Sequence, residues 1–300
     1  MKHLLLLALS TGVLSILPIG SYAQWVQTSG PEGGTISSFA LIPNGATGTN
    51  LFAGTFSSGV FLSTDNGTSW TPTNAGLTDT NVRALAVGGT NLFAGTYAGV
   101  FLSSNNGTSW TAVNTGLTNL YVNSFAVSGT NLFAGTYDGV FLSTDNGASW
   151  SAVSTGLTYP YVTALALIPN GAGGTNLFAW ASGPYGGDLF LSSNNGESWR
   201  VLNTELTNLH VHAIAVCPNG AEGCNLFAGT FGGGVFLSSN NGTKWTAVNS
   251  GLTSSHVFSF GVSGANLFAG ASRGGVWRRP LSEMITPAQD SMGDRVPKEQ

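Results

Sequence analysis

Charge is what this chain most lacks. Asp, Glu, Lys and Arg make up 7% of its 300 residues, against roughly a quarter in an ordinary soluble domain. Only nine residues are Lys or Arg, and the net charge is −4. Phosphate backbones are bound by clustered cations; with no such cluster, a nucleic-acid partner is not expected. Helical periodicity is also missing, and the apolar segments are four to seven residues long and bounded by Gly, Asn or Ser, which are strand and turn signals. The scarcity of charge does not imply disorder, because 42% of the chain is hydrophobic and its aromatics recur at fixed spacing. Past the N-terminal segment, no apolar run reaches the ~20 residues that a membrane-spanning helix needs.

That N-terminal segment reads as an export signal. Lys2 supplies a positive start, Leu4 to Ile19 is apolar, and Ser21-Tyr22-Ala23 is a small-x-small cleavage site before Gln24. Residues 1–23 are therefore expected to be removed, leaving a secreted or cell-surface protein with no membrane span. Cysteine is nearly absent: Cys217 and Cys224 are the whole complement. They bracket P-N-G-A-E-G, where the matching loops carry Ile42 and Thr49, or Ile168 and Thr175. In an oxidising compartment a disulfide across this loop is expected; two buried thiols are the alternative. A metal pair is disfavoured because four ligands are normally needed and no His lies in the hairpin. No metal or cofactor is expected elsewhere.

What the chain has in abundance is repetition. The phrase S-[TS]-[DN]-N-G-x-[SK]-W occurs five times, over Ser63–Trp70, Ser103–Trp110, Ser143–Trp150, Ser192–Trp199 and Ser238–Trp245. Between copies recur V-x-[AS]-[LFI]-[AG]-[VL], then N-L-F-A-G, then G-V-F-L-S, and W-T-A-V-N or a variant of it ends each phrase. Four short strands, A to D, thus form one unit, with the phrase as the C–D turn. Strand A begins six times, at Ile36, Val82, Val122, Val162, Val211 and Val257. Repeats at this period build arrays or rings, and strands apolar on both faces must be covered on both. The fold class is all-β: a single six-bladed β-propeller of four-stranded antiparallel blades. Trp25 to Thr28 reads as a strand D lacking A to C, and Gly275 to Leu281 as a strand C lacking D. Joining them closes the ring and hides its edges. The propeller is expected over residues 24–281.

The phrase resembles the Asp-box, or BNR repeat, of sialidases, sortilin-type receptors, some glycoside hydrolases and photosystem II assembly factor-like propellers. The resemblance covers about Gln24 to Leu281. It implies a structural turn, in which Asp65, Asn105, Asp145, Asn194 and Asn240 accept hydrogen bonds from turn amides. Trp70, Trp110, Trp150, Trp199 and Trp245 are expected to pack against their own blades. Three of the five copies lack the carboxylate, so no charge-dependent chemistry is expected of the box.

Function is sought where the repeats disagree. B–C loops and D-to-A connections share one face, around the channel mouth. The fourth blade departs most: Trp180 replaces the Gly at 54, 95, 135, 229 and 270, and a longer loop adds Tyr185 and Asp188. Tyr121, Tyr159, Tyr161, His210 and His256 come to the same rim, and Tyr97, Tyr137, Phe56 and Phe231 continue it in other blades; Tyr137, Asp138, Tyr161 and His210, with Trp180, Tyr185 and Asp188, form the candidate ligand site. The aromatics either hold a sugar or peptide, or pack loop on loop. The strand-A position Ser37, Arg83, Asn123, Thr163, His212, Phe258 varies beside the mouth, as pocket or as tolerated wall.

No catalytic residues are assigned. A sialidase needs three convergent arginines, and outside the last strand and tail the chain has Arg83, Arg200 and Arg273, which do not assemble. Another glycosidase would need two carboxylates roughly 5–9.5 Å apart; Glu32, Asp79, Asp138, Asp188 and Glu205 lie in different blades. A non-catalytic, monomeric secreted propeller contacting a protein or carbohydrate is the main expectation, and a glycoside hydrolase-like enzyme the alternative. From Ser282 to Gln300 the pattern stops in a polar, linker-like tail. It resembles the segment before the sorting domain of type IX secreted bacterial proteins, so a cargo lacking that domain is one expectation.

Overall fold

The computed structural model describes residues 30–31, 35–44, 48–65, 67–169, 175–183, 186–202, 206, 210–218, 224–263, 265–272 and 275–285. Blade 1 is β1 (Ile36–Asn44), β2 (Gly48–Thr55), β3 (Gly59–Ser63) and β4 (Thr71–Pro72). Blade 2 is β5 (Ala84–Gly88), β6 (Asn91–Thr96), β7 (Gly99–Ser103) and β8 (Thr111–Ala112). Blade 3 is β9 (Val122–Ser128), β10 (Asn131–Thr136), β11 (Gly139–Ser143) and β12 (Ser151–Ala152). Blade 4 is β13 (Tyr161–Pro169), β14 (Thr175–Gly183), β15 (Gly186–Ser192) and β16 (Arg200–Leu202). Blade 5 is β17 (Val211–Pro218), β18 (Cys224–Thr230), β19 (Gly234–Ser238) and β20 (Thr246–Ala247). Blade 6 shows β21 (Val257–Ser263), β22 (Asn266–Ala271) and β23 (Gly275–Pro280). Each sheet is an antiparallel meander in chain order, so the six-bladed propeller is as the repetition predicts.

The inner strands pack in the cyclic order β1, β5, β9, β13, β17, β21 and back to β1, which closes the ring. Trp25 to Thr28, the expected closing strand, lies outside the described residues, as do the leader and residues 286–300. The tail is not wholly a linker: Ser282–Ile285 forms a helical turn, α1, and Met284 is buried with Trp277 and Leu267.

Blade contacts rest on small residues meeting large ones. A Cβ added at Gly95 would lie 2.7 Å from Val122 Cγ1 of the next blade. The same approach recurs at Gly54, Gly135 and Gly229. Only glycine lets the sheets come this close. The Phe of this phrase fills the space between sheets; Phe52, Phe93, Phe133, Phe178 and Phe227 are fully buried and Phe268 of blade 6 partly so.

The recurring turn is held by its own side chains. Asp65 Oδ1 accepts from Ser69 N at 2.9 Å and from Ser63 Oγ at 2.8 Å, and Oδ2 accepts from Ser69 Oγ at 2.6 Å. Asn105 keeps this geometry with its polarity adapted: Oδ1 accepts from Ser109 N at 2.9 Å while Nδ2 donates to Ser109 Oγ at 2.9 Å. The turn therefore works with or without charge. Asn106, Asn146, Asn195 and Asn241 sit at φ of 54 to 56°, a left-handed conformation that Asn tolerates better than most.

The turn's tryptophan reaches further than the resemblance implies. Trp110 Nε1 donates to Thr73 O at 2.9 Å, Trp150 Nε1 to Val113 O at 3.0 Å, and Trp199 Nε1 to Val153 O at 2.9 Å. Each partner belongs to the preceding blade, so these indoles join blades rather than pack against their own blade alone. Trp245 instead bonds its own Gly242 O at 3.0 Å. In blade 6, Arg279 Nη1 donates to Val248 O at 3.2 Å, taking the carbonyl position that an indole takes in blades 2 to 4.

The disulfide expectation is not supported. Cys217 pairs in register with Asn225, and Cys224 with Pro218. The two positions are one step apart, on alternate faces of the pleat, whereas a disulfide requires Cβ vectors that converge. No disulfide is found among the described residues.

Candidate channel-mouth binding face

A β-bulge at the start of strand A builds the mouth. The register slips between Ile36 and Ser38, and again between Val162 and Ala164, Val211 and Ala213, and Val257 and Ser259. Blade 3 slips beside Asn123, pairing Val122 with Thr136 and Ser124 with Gly135. Arg83 takes the same place just before β5, where its N–H donates to Gly95 O at 2.8 Å. A bulge re-aims the residue it carries. The bulge residues of the six blades are thus Ser37, Arg83, Asn123, Thr163, His212 and Phe258.

These six divide into two kinds. Ser37 Oγ donates to Val82 O at 2.5 Å, Asn123 Nδ2 to Val162 O at 3.1 Å, and Thr163 Oγ1 to Val211 O at 2.7 Å. Each short side chain fastens its blade to the next. Arg83, His212 and Phe258 are too large for this and occupy the mouth itself. His212 and Phe258 meet edge-on at 5.2 Å, and the Arg83 guanidinium lies 4.9 Å from the Phe56 ring centroid and 5.4 Å from that of Tyr97. Burial pushes the His212 imidazole down to about 4, with smaller contributions from Arg83, His210 and His256. The side chain is therefore neutral at pH 7.

Around the mouth runs an aromatic rim. Tyr97, Tyr121, Tyr137 and Tyr161 follow one another with centroid separations of 5.1, 5.1 and 5.2 Å across blades 2 to 4. All four are exposed, Tyr121 and Tyr161 at 45%. Phe56 and Phe258, 5.4 Å apart, continue the rim through blades 1 and 6. Phe231, 51% exposed, stands edge-on to His256 at 4.1 Å in blade 5. Backbone bonds hold the loops in register: Phe231 N donates to His210 O and Gly139 N to Pro160 O, at 2.9 and 2.8 Å.

Below the rim, the inner strands of all six blades line an open hollow of about 100 Å³, with Arg83, Asn123 and His212 at its wall. Ligand pockets for drug-sized molecules begin at roughly 300 Å³. The space therefore admits a side chain or a small group, and a larger ligand rests on the rim.

Of the residues singled out from sequence, Tyr137, Asp138, Tyr161 and His210 are exposed on this face. Asp138, at the β10–β11 turn, accepts from Thr118 Oγ1 at 3.4 Å. Asp188 is placed on β15 opposite Ala181, within the sheet rather than in a loop. Tyr185 lies outside the described residues, as do Glu32, Glu205 and Arg273. Trp180 requires correction. It is 1% exposed, the largest fully buried side chain among the described residues, and packs with Leu189, Leu202, Leu206, Val211 and Trp245. The indole fills the gap between blades 4 and 5 that Gly and Val close elsewhere, so it is core and not rim. Tyr97 and Tyr121, rim aromatics by their loop positions in the sequence, stand in the ladder beside Tyr137 and Tyr161.

Residues 47–163 match the family described as the DUF6242 beta propeller domain. No curated protein matches the chain significantly. Among solved structures, the extracellular domain of a one-component system of B. thetaiotaomicron is 18% identical with a TM-score of 0.59, over 86% of this chain and 40% of that one. YCF48 bound to D1 peptide is 14% identical with a TM-score of 0.55, over 86% and 97%. The GH74 enzyme of Niastella koreensis is 19% identical with a TM-score of 0.54, over 81% and 45%. The chain thus spans less than half the length of the first and third, and at these identities the likeness is one of fold: a β-propeller.

Proposed function

We propose that this protein is a secreted, non-catalytic propeller that binds a protein or glycan through its channel-mouth face. Residues 1–23 serve as export signal, 24–281 as the propeller and 282–300 as its tail, and the five recurring turns are Asp-boxes with a structural role. The observation that carries the reading is the run of four exposed tyrosines, joined through Arg83 to Phe56 and Phe258. Exposed aromatics concentrated in one place on a surface otherwise poor in large apolar groups are a feature of interfaces. The similar fold of YCF48, whose structure holds a D1 peptide, is consistent with a propeller working as a receptor for another chain.

The test is a paired screen of the full chain against a glycan array and a random dodecapeptide phage library. Tyr121→Ala/Tyr137→Ala serves as the mouth-face variant. Ligands that wild type retains and the variant loses support the reading. Retention of nothing from either source, or retention unaffected by the variant, contradicts it.

A further inference from the structure

We infer that the mouth is a carboxylate pocket and that its ligand is an acidic protein segment, one Asp or Glu side chain of which enters beside Arg83 while its neighbours lie along the tyrosines. This rests on the binding reading above and specifies its partner.

The first observation is an uncompensated cation. Arg83 makes no ion pair among the described residues; its one side-chain hydrogen bond runs from Nη1 to Tyr97 Oη at 3.1 Å. A guanidinium carries five N–H donors in a fork matched to carboxylate, so most of them remain for a ligand. Asp79, the acidic residue nearest in the chain, is already engaged. Asp79 accepts from Asn81 N at 2.9 Å and Ala98 N at 3.0 Å, and Asp138 accepts from Thr118. Asp188 lies within β15.

The second observation is independent of the first. Ser38, Ser124 and Ser259 line the same hollow, each more than nine-tenths buried, and none of their Oγ atoms has a hydrogen-bond partner. Asn123 Oδ1 is likewise unpartnered. Buried polar atoms ordinarily find partners. These Oγ atoms have almost no accessible surface and abut the cross-strand Gly54, Gly135 and Gly270, so they belong to the wall; the hollow beside Arg83, about 100 Å³, takes a carboxylate with a little water but not a sugar ring.

The third observation decides between peptide and glycan. A pyranose stacks on an open aromatic face. Tyr121 and Tyr137 stack on each other with planes 8° apart, and their other faces turn towards Tyr97 and Tyr161. The inner rings of the ladder therefore offer edges and hydroxyls, which suit the amides and side chains of an extended polypeptide rather than stacked sugars.

The experiment uses the dodecapeptide library on the full chain. Selected peptides are resynthesised as pairs with Asp→Asn or Glu→Gln, and affinities are read by fluorescence anisotropy. Acidic peptides are expected to be enriched, and amide replacement to weaken binding roughly ten- to hundred-fold, the scale of a hydrogen bond to a charged group. Arg83→Gln should lower affinity for the acidic peptide by a similar factor and abolish the acid–amide difference, with an unchanged melting temperature. Arg200→Gln, exposed beside a box, should change nothing. Mouth-dependent peptides that bind equally as acid and amide overturn the carboxylate inference and leave the binding reading standing; the hollow then holds water. Failure to select any peptide, or selective retention of uronate glycans, overturns the peptide assignment. Loss of both peptide and glycan binding removes both readings.

Discussion

Replacing Trp180 by alanine should cost stability and spare recognition. The side chain is 1% exposed and seals the junction of blades 4 and 5 against Leu202, Leu206, Val211 and Trp245. A Cβ at Gly187 would lie 2.7 Å from its Nε1, so the indole is tightly held. Truncating a buried Trp to Ala generally costs ~3–5 kcal/mol, the transfer term plus that of the cavity left behind. The repeat makes a cavity certain here, because the other junctions close around Gly with a neighbouring Val or Ile, whereas the indole itself fills this one. Gly95→Ala is the reciprocal test. Its Cβ would meet Val122 Cγ1 at 2.7 Å and Phe125 at 3.0 Å, an overpacking expected to cost ~1–3 kcal/mol. Urea unfolding followed by tryptophan fluorescence reads both, with the denaturant slope unchanged if only stability has altered. A Trp180→Ala loss below ~1 kcal/mol would refute the argument. So would intact stability accompanied by lost peptide binding, which would return Trp180 to the ligand site.

Three further outcomes follow from local geometry. Asp65 and Asp145 are held at about 2, first by the Ser69 and Ser149 hydroxyls and then by backbone N–H donors. Their folded values lie below the usual 3.8, so they stabilise the fold above pH 3.8 and that contribution disappears as pH falls towards 2. Asp65→Asn/Asp145→Asn should fold normally at pH 7, as the Asn turns do, and show a flatter melting temperature between pH 4 and 2; equal slopes would contradict this. His212, lowered from 6.5 to about 4 chiefly by burial, is neutral when folded, so stability should fall as pH drops from 6.5 to 4 and level off below. His212→Gln should remove that slope in a pH series of thermal melts. Asn114 Oδ1 accepts the Val100 N–H at 2.7 Å, and Asn114→Ala, which orphans that donor, should cost ~1–3 kcal/mol by urea titration.

The ring was legible in the sequence because repetition makes each blade confirm the next. Strand order, the C–D turn and the loops that share the mouth face could all be placed by aligning the copies. What escaped depends on contacts between blades. Trp180 looked functional because it breaks the repeat, yet the partner that buries it lies in blade 5 and has no signature in the local pattern. The indoles of Trp110 and Trp150 reach the preceding blade for the same reason. Cys217 and Cys224 flank one loop, but a one-residue offset in register places them on alternate faces. The varying position of strand A lies beside the mouth, as its place at the start of the inner strand implies. Its bulge was not legible, since an extra residue interrupts the alternation from which a strand is recognised. Nor could spacing reveal that the tyrosines cover one another's faces.

Hydrogen–deuterium exchange of the full chain, with and without a selected acidic peptide, addresses the central claim most directly. Bound peptide should protect the amides of the mouth loops at 96–99, 119–123 and 136–139, and leave the turns at 103–110 and 143–150 unchanged. Protection confined to those turns, with the mouth loops exchanging as in the free protein, would contradict the account.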